Sequence, residues 1–173
     1  MDRFVHGDAI VKALPKDARE YAANHIACWR AAYRGILSDE YLDQMSVEEM
    51  TESSKQILSE SNIYMCYYVE HNGKMIGRLV ICDSRDEDKP NAGEIAAMYL
   101  LEAFWNKGYG RKMMEFSLAE LKHKGHDEVF LWVLEANSRG RQFYEKCGFV
   151  PDGTKKEIHI DKPLIVMRYV RAL

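Results

Sequence analysis

The spacing of apolar positions predicts that the chain begins with a strand and a helix. The apolar run Ala9–Leu14 is typical of a strand, and Pro15 interrupts it. Asp17 and Glu20 match a capping box, which would open a helix after this strand, and Gly35 would end that helix. One apolar stripe at helical spacing runs along the predicted helix: Ala22, Ile26, Trp29 and Tyr33.

Two shorter helices are predicted next, each with a serine near its start. Ser38 would cap a helix that reaches Gln44, because a serine hydroxyl accepts a hydrogen bond from a free N–H of the first turn. Ser46 or Val47 would start a third helix, which extends to about Leu58. The first third of the chain is therefore predicted as mostly helical.

A hairpin follows these helices. The aromatic and β-branched content of Asn62–His71 favours a strand, and Lys74–Cys82 is predicted as the return strand. Asn72-Gly73 lies between them, and both central residues of a type I′ turn need the positive φ that asparagine and glycine tolerate. The polar, charged stretch Asp83–Gly93 is predicted as a solvated loop.

The second half of the chain alternates strands and helices. The unbroken apolar run Ile95–Leu101 predicts a buried strand, and the turn Asn106–Gly110 connects it to a helix that Gly125 would end. The remaining predicted elements are a central strand at Glu128–Leu134, a helix at Ser138–Cys147 that Asn137 caps, and two strands at Lys155–Ile160 and Leu164–Arg171. We therefore expect an α+β fold with a mixed sheet, in which the step from Glu94 to Leu134 is a right-handed parallel crossover.

Length and composition indicate a single domain over residues 1–173. Hydrophobic residues make up 47% of the chain and charged residues 29%, a balance typical of globular proteins. The formal net charge of -3 gives no overall basic field, which disfavours nucleic acid and anionic membranes as partners. We see no secretory leader and no apolar run near the roughly 20 residues of a membrane span, so we expect a cytoplasmic protein.

The cysteines and histidines do not predict a metal site. The four cysteines are scattered without a CxxC pair, which favours free thiols. His123 and His126 are separated by Gly125, which should end the helix and prevent a shared face.

The turn Asn106–Gly110 is the strongest candidate ligand site from the residues alone. A strand, a glycine loop and a helix start present free backbone N–H groups, and Lys107, Arg111 and Lys112 add positive charge. This combination favours an anion such as a diphosphate, with the reactive end of the same ligand along the preceding strand. The loop lacks the glycine spacing of a Rossmann fingerprint and the Gly-Lys-Ser/Thr end of a P-loop. A plain strand-to-helix turn stays open on the local sequence.

Two motifs in the second half resemble those of the GCN5-related N-acetyltransferase (GNAT) family. Trp105-Asn106-Lys107-Gly108-Tyr109-Gly110 is similar to the family's R/Q-x-x-G-x-G/A motif at a helix start, although Trp105 stands where the family has Arg or Gln. Asn137, Tyr144 and Gly148-Phe149 resemble its second signature, an asparagine followed by Y-x-x-x-G-F. Trp29–Gly35 resembles the first helix of a bacterial subgroup. The likeness covers nearly the whole chain in order of elements and residues 94–149 in motif detail.

This resemblance implies a fold, an activity and a cofactor. The fold is that of the acyl-CoA N-acyltransferases, with α/β/α layers and a mixed central sheet of about seven strands between helices on both faces. The activity is transfer of the acetyl group of acetyl-CoA to a primary amine, which attacks the thioester directly in a ternary complex. The implied cofactor-binding residues are the strand backbone of Met98, Tyr99 and Leu100, the loop residues Lys107, Gly108, Tyr109, Gly110 and Arg111, and Asn137.

The resemblance also implies catalytic and acceptor-binding residues. Tyr144 matches the usual general acid, since a phenol can protonate a departing thiolate; its alternative role is a core tyrosine. Glu94 lies eleven residues before Trp105, where some members keep a carboxylate base, and is otherwise a solvated strand start. Asn137 could serve purely as a helix cap. Tyr33, at the end of the first predicted helix, is the candidate for the acceptor pocket.

Two functions stay open from the sequence. One is an N-acetyltransferase for an unidentified small-molecule or peptide amine, and the other is a non-catalytic acyl-CoA-binding or regulatory module on the same fold. A homodimer is common in the family, and the terminal strands would offer edges for pairing.

Overall fold

The computed structural model describes residues 7–60 and 62–173, which form one seven-stranded sheet. Its strands are β1 (Asp8–Lys12), β2 (Tyr64–His71), β3 (Lys74–Asp83), β4 (Gly93–Leu100), β5 (Glu128–Leu134), β6 (Val150–His159) and β7 (Pro163–Ala172). They lie in the order β1-β2-β3-β4-β5-β7-β6. The pair β4–β5 is parallel and the other neighbouring pairs are antiparallel. The predicted mixed sheet and parallel step are confirmed.

Helices cover both faces of this sheet, as expected. Within the described residues they are α1 (Ala18–Tyr33), α2 (Asp39–Gln44), α3 (Val47–Ser59), α4 (Tyr109–His123) and α5 (Ser138–Lys146). On one face, Met113 and Leu121 of α4 lie in a core with Leu131 of β5. On the other face, Tyr21 of α1 and Leu58 of α3 pack against the sheet.

The strands β4 and β5 pair only at their starts. Gly93 is in register with Val129 and Glu94 with Phe130, and no further pair follows among the described residues. From Ile95 onward, the β5-facing edge of β4 therefore has no strand beside it, while its other edge stays paired with β3. Because an open strand edge can hydrogen-bond an extended partner, this gap is a natural place for a ligand.

The helix starts follow local sequence signals, with one exception. The serine hydroxyls before α2 and α3 accept first-turn N–H groups, as predicted. The capping box predicted for α1 is wrong. The Asp17 carboxylate accepts the Leu14 N–H at 2.9 Å beside a 3-10 turn, and the Glu20 carboxylate accepts the Met75 N–H at 3.3 Å. Both acidic side chains bind outside α1, which starts without a side-chain cap.

The stretch Asp83–Gly93 is the largely exposed loop that its charge predicts, but two of its aspartates also anchor it to the sheet. Arg168 of β7, whose side chain is 5% exposed, pairs with Asp86 at 3.1 Å and with Asp88 at 2.6 Å. Asp86 also accepts the indole N–H of Trp132 at 3.0 Å. These partners lie far along the chain, so no local pattern could predict that they hold the loop against the sheet.

The sheet ends in β1 and β6. The strand β6 begins at Val150 rather than at Lys155, since Pro151 and Gly153, which argue against a strand, are tolerated at a sheet edge. A homodimer through these edges stays a prediction. Among the described residues, no helix has both the length and the apolar character needed to cross a membrane.

Candidate active site

The starts of two helices lie beside the gap between β4 and β5. Gly108 is the N-cap of α4 and has a φ of 87°, a left-handed conformation that glycine adopts without strain. The start of α4 lies close to α5, because a Cβ on Gly110 would come within 3.2 Å of the Phe143 ring. Neither helix has an acidic residue in its first turn. Since helix starts carry unpaired N–H groups and partial positive charge, their proximity favours an anion.

Asn137 shapes the start of α5. Its Oδ1 accepts the Gly140 N–H at 2.9 Å, which confirms the predicted helix cap. A Cβ on Gly140 would lie 2.6 Å from Asn137 Nδ2, so glycine at this position leaves room for the capping amide. Both residues also line the cavity between the strands. Contact of Asn137 with a cofactor stays a prediction.

A cavity of about 450 Å³ runs along the open edge of β4. Its volume lies within the usual range for small-molecule sites in proteins. One part of its wall consists of the two helix starts, the middle part is β4 from Ile95 to Leu100, and the remainder includes the aromatic side chains Tyr33, Trp132 and Tyr144. The cavity thus joins an anion-favouring region to an open strand edge and an aromatic pocket.

Tyrosine hydroxyls gather at the aromatic end. The hydroxyl oxygens of Tyr33 on α1 and Tyr99 on β4 lie 2.8 Å apart. Burial raises the pKa of both phenols, so each keeps its proton at neutral pH. The Trp29 ring packs edge-on against Tyr33 with ring centres 5.1 Å apart, and His25 stacks on Trp29 at 4.8 Å. The aromatic end of the cavity therefore has apolar walls with hydroxyl groups as hydrogen-bonding partners.

Tyr144 reaches the same space from α5. Burial is the main cause that raises its pKa, and the neighbouring Tyr99 adds to the effect. The phenol therefore stays protonated at neutral pH and has a proton to donate, as a general acid requires. Its ring also packs against Phe143 and Phe149, with ring centres 5.4 and 6.2 Å away. Both roles considered for Tyr144, core packing and proton donation, are compatible with this position.

A buried cation lies behind the aromatic end. Arg78 of β3 is 6% exposed, has no carboxylate partner among the described residues, and lies 4.4 Å from the centre of the Tyr21 ring. Its guanidinium donates to Nδ1 of His25 at 2.5 Å. Burial, together with the Arg78 charge, lowers the pKa of His25 to about 3. His25 is therefore neutral at physiological pH and accepts this hydrogen bond.

Most of the residues predicted for the site line the cavity: Met98, Tyr99, Leu100, Gly108, Gly110, Arg111, Asn137, Tyr33 and Tyr144. Two loop residues turn their side chains elsewhere. The Lys107 ammonium lies 5.7 Å from the centre of the Phe104 ring, and the Tyr109 hydroxyl bonds to Nδ1 of His71 at 2.9 Å. In this arrangement neither Lys107 nor Tyr109 lines the cavity.

The structure does not bring Glu94 to the cavity. Its side chain is 2% exposed, so it is not a solvated strand start. Arg85 donates to both carboxylate oxygens, from Nη2 to Oε1 at 2.6 Å and from Nε to Oε2 at 3.0 Å. The spacing from Trp105 suggested that Glu94 is a base, but this spacing could not predict its ion pair with Arg85 on the adjoining loop.

Trp105, which departs from the family motif, is part of the cavity wall. Its indole N–H donates to the Leu100 carbonyl at 2.8 Å, and the Arg139 guanidinium carbon lies 4.2 Å from its ring centre. Sequence reasoning singled out Trp105 but missed Arg139, Phe143 and Trp132 as lining residues. The pairing of Arg139 with Trp105 joins two motifs that are separate in sequence, so neither motif alone indicates it.

The family comparison identifies this arrangement. A profile described as the Acetyltransferase (GNAT) family matches residues 12–149. The chain belongs to the GNAT family. A relative in Mycobacterium tuberculosis, named a probable N-acetyltransferase, is 32% identical over 143 residues, which are 82% of this chain and 79% of that protein. The spermidine N(1)-acetyltransferase of Thermoplasma acidophilum is 26% identical over 129 residues, or 73% of this chain and 78% of that protein.

Solved structures share the fold of this GNAT chain. The PaiA N-acetyltransferase from Thermoplasma acidophilum, solved in complex with coenzyme A, matches with a TM-score of 0.78 and 22% identity over 96% of this chain and 99% of that one. An acetyltransferase from Thermus thermophilus matches with a TM-score of 0.72 and 18% identity over 99% and 100%. The predicted acyl-CoA N-acyltransferase fold is confirmed, and the chain is an acyltransferase of the GNAT family.

Proposed function

We propose that this protein transfers the acetyl group of acetyl-CoA to a primary amine, which attacks the thioester directly in a ternary complex. The observation that carries the proposal is one cavity with three different environments. A diphosphate suits the two helix starts, an extended pantetheine arm suits the open edge of β4, and an amine suits the hydroxyl-lined end. Acetyl-CoA supplies the activated acetyl thioester for this reaction.

The cofactor would be held mainly by backbone groups. In this proposal, the N–H groups of Lys107–Arg111 bind the diphosphate, and the backbone of Met98–Leu100 pairs with the pantetheine arm like an added strand. The Met98 N–H is our candidate donor to the thioester oxygen, where negative charge develops. Asn137 adds a polar contact. Backbone binding explains why Lys107 and Tyr109 can turn their side chains away and still belong to the site.

Tyr144 is the proposed general acid. Its hydroxyl carries a proton at neutral pH and would pass it to the departing sulfur. No Asp or Glu lies among the described residues that line the cavity. We therefore leave Glu94 out of the proposed chemistry: the amine binds neutral or loses its proton to water, and the Tyr33–Tyr99 hydroxyl pair orients it.

The acceptor end suits an amine carried on an apolar chain. Lys156 Nζ lies 3.9 Å from the centre of the Trp132 ring and 3.7 Å from the Asp86 carboxylate. Lys156 thus occupies a face of the Trp132 ring, as an aromatic face attracts an alkylammonium, and the acceptor would meet this indole as an apolar wall. A relative bears the name spermidine N(1)-acetyltransferase, so spermidine is the first acceptor to test.

We place the reaction in the cytoplasm. Cys28, Cys66 and Cys82 are buried free thiols, and Cys147 is also unpaired. Unpaired thiols are usual in proteins of reducing compartments.

Two measurements test the proposed function. Acetyl-CoA should raise the unfolding temperature, because a ligand that binds the folded state stabilises it. Free CoA thiol should then appear when spermidine or another primary amine is added. Thermal protection without thiol release from any amine of a broad panel would favour the non-catalytic acyl-CoA-binding module. Absence of protection would contradict the proposal itself.

A further inference from the structure

The cofactor end of the cavity contains a cation that the family motif does not predict. Trp105 stands at the Arg or Gln position of the motif, so the loop lacks the usual polar side chain there. Arg139, the second residue of α5, places its guanidinium carbon 4.2 Å from the Trp105 ring centre. Both residues line the cavity. A positive side chain therefore lies next to the motif position, although it comes from a different helix.

Arg139 is available to an anionic ligand. Its side chain is exposed, and it forms no ion pair or hydrogen bond with the residues that the structure describes. The other lining cation, Arg111 in the first turn of α4, pairs with Glu115 at 2.9 Å. Lys107 lies over Phe104 instead of in the cavity wall. Arg139 is thus the cavity-lining cation that has no carboxylate partner in the described part of the chain.

The surroundings of Arg139 favour a bound anion. An arginine in the first turn of a helix meets the positive end of the helix dipole, and α5 has no acidic residue there to offset it. The start of α4 adds a second positive end close by. The Trp105 ring is itself fixed by its hydrogen bond to the Leu100 carbonyl. A guanidinium stacked on a fixed aromatic face keeps its N–H edge free for a phosphate.

We propose that Arg139, supported by the Trp105 ring, supplies the side-chain cation that binds the diphosphate of CoA. The cation comes from α5 rather than from the α4 loop, and the guanidinium stacks on the indole of Trp105. A guanidinium suits this task because it can donate two parallel hydrogen bonds to phosphate oxygens. The inference rests on the proposed function, since it requires CoA in the cavity.

Calorimetric titration of CoA into Arg139→Ala tests this assignment. Loss of one charge-assisted contact predicts a rise in Kd of about ten-fold. Dephospho-CoA lacks the 3′-phosphate but keeps the diphosphate. Its Kd should therefore rise by the same factor in Arg139→Ala. Lys146→Ala is the matched control, because it removes an exposed cation at the other end of α5 and should bind CoA like the wild type. Thermal unfolding without ligand checks that all variants are folded.

The double variant Trp105→Arg/Arg139→Ala returns the cation to the loop and should recover most of the lost affinity. A Kd for Arg139→Ala equal to that of the wild type would overturn the assignment. So would a defect seen with CoA but absent with dephospho-CoA, because Arg139 would then bind the 3′-phosphate. If the wild type itself does not bind CoA, the proposed function falls and this assignment with it.

Discussion

The two ends of the cavity use different chemical groups. At the proposed cofactor end, the polar groups are backbone N–H groups at the start of α4, which follows Gly108, with the side chains of Asn137 and Arg139 beside them. At the acceptor end, the polar groups are the hydroxyls of Tyr33 and Tyr99, which come from α1 and β4. In this proposal, a diphosphate site built largely of backbone N–H groups accommodates Trp105 at the motif's Arg or Gln position, with Arg139 as its side-chain cation. A site made of side chains depends on each of them, so substitutions should affect the two ends differently.

The largest effect is expected from Gly108→Val at the cofactor end. A valine at a φ of 87° is strained by about 1–2 kcal/mol, and the loop would relax by turning its N–H groups away from the cavity. We expect this variant to lose its thermal protection by CoA. Gly153→Val is the matched control, because Gly153 has a φ of 89° and an equally open Cβ position but lies on β6. Equal protection of the two variants would show that the loop does not hold the cofactor.

Tyr144→Phe should separate binding from chemistry. The substitution removes only a hydroxyl that no described residue bonds, so the fold and the backbone contacts to CoA should persist. We expect kcat to fall about 100-fold, as is usual when a general acid is lost, with an unchanged Kd for CoA. Steady-state kinetics and calorimetry measure the two quantities. An unchanged kcat would assign Tyr144 to the cavity wall alone.

Low pH should reduce the free energy of unfolding through His25, which stacks on Trp29 next to the acceptor end. Its pKa is about 3 in the folded protein and about 6.5 in the unfolded chain. Between these values the unfolded chain binds a proton that the folded protein does not, so stability falls as the pH drops from about 6.5 toward 3. At pH 5 this loss amounts to about 2 kcal/mol.

Urea unfolding at pH 7 and pH 5 measures this dependence. Between the two pH values, the free energy of unfolding of His25→Gln should fall by about 2 kcal/mol less than that of the wild type, because glutamine does not titrate. His123→Gln, at the exposed end of α4, is the control and should keep the wild-type dependence. Identical pH dependence in His25→Gln and wild type would contradict the buried neutral histidine.

The smallest effect is expected from Tyr33→Phe. Loss of the hydroxyl that pairs with Tyr99 removes one neutral hydrogen-bonding group from the acceptor end. We expect the KM for the amine to rise about five-fold and the KM for acetyl-CoA to stay the same. A rise in the KM for acetyl-CoA alone would place Tyr33 at the cofactor end and remove the distinction between the two regions.

Features that depend on neighbouring residues could be predicted from the sequence. Asn72 and Gly73 take the positive φ values, 51° and 75°, that a type I′ turn requires. Gly125 ends α4 with a φ of 97°. The same reasoning located Gly108 and Asn137, and the family motifs added Tyr144. Local geometry fixes these positions almost regardless of the rest of the fold.

Features that depend on distant partners could not be predicted. Glu94 suggested a base by its spacing, yet Arg85 holds its carboxylate away from the cavity. The charged loop after β3 is held by Arg168, and Trp105 faces Arg139. Each of these pairs forms only when the sheet and helices assemble, and a charged side chain in a sequence does not reveal its partner.

Hydrogen–deuterium exchange with and without CoA tests the central claim most directly, because it reports on the strand edge and the loop in one experiment. The account predicts slower exchange of backbone amides in residues 95–100 and 107–111 when CoA is bound, with β6 unchanged. Protection that leaves residues 95–100 unaffected would contradict the claim that the open edge of β4 holds the arm of the cofactor.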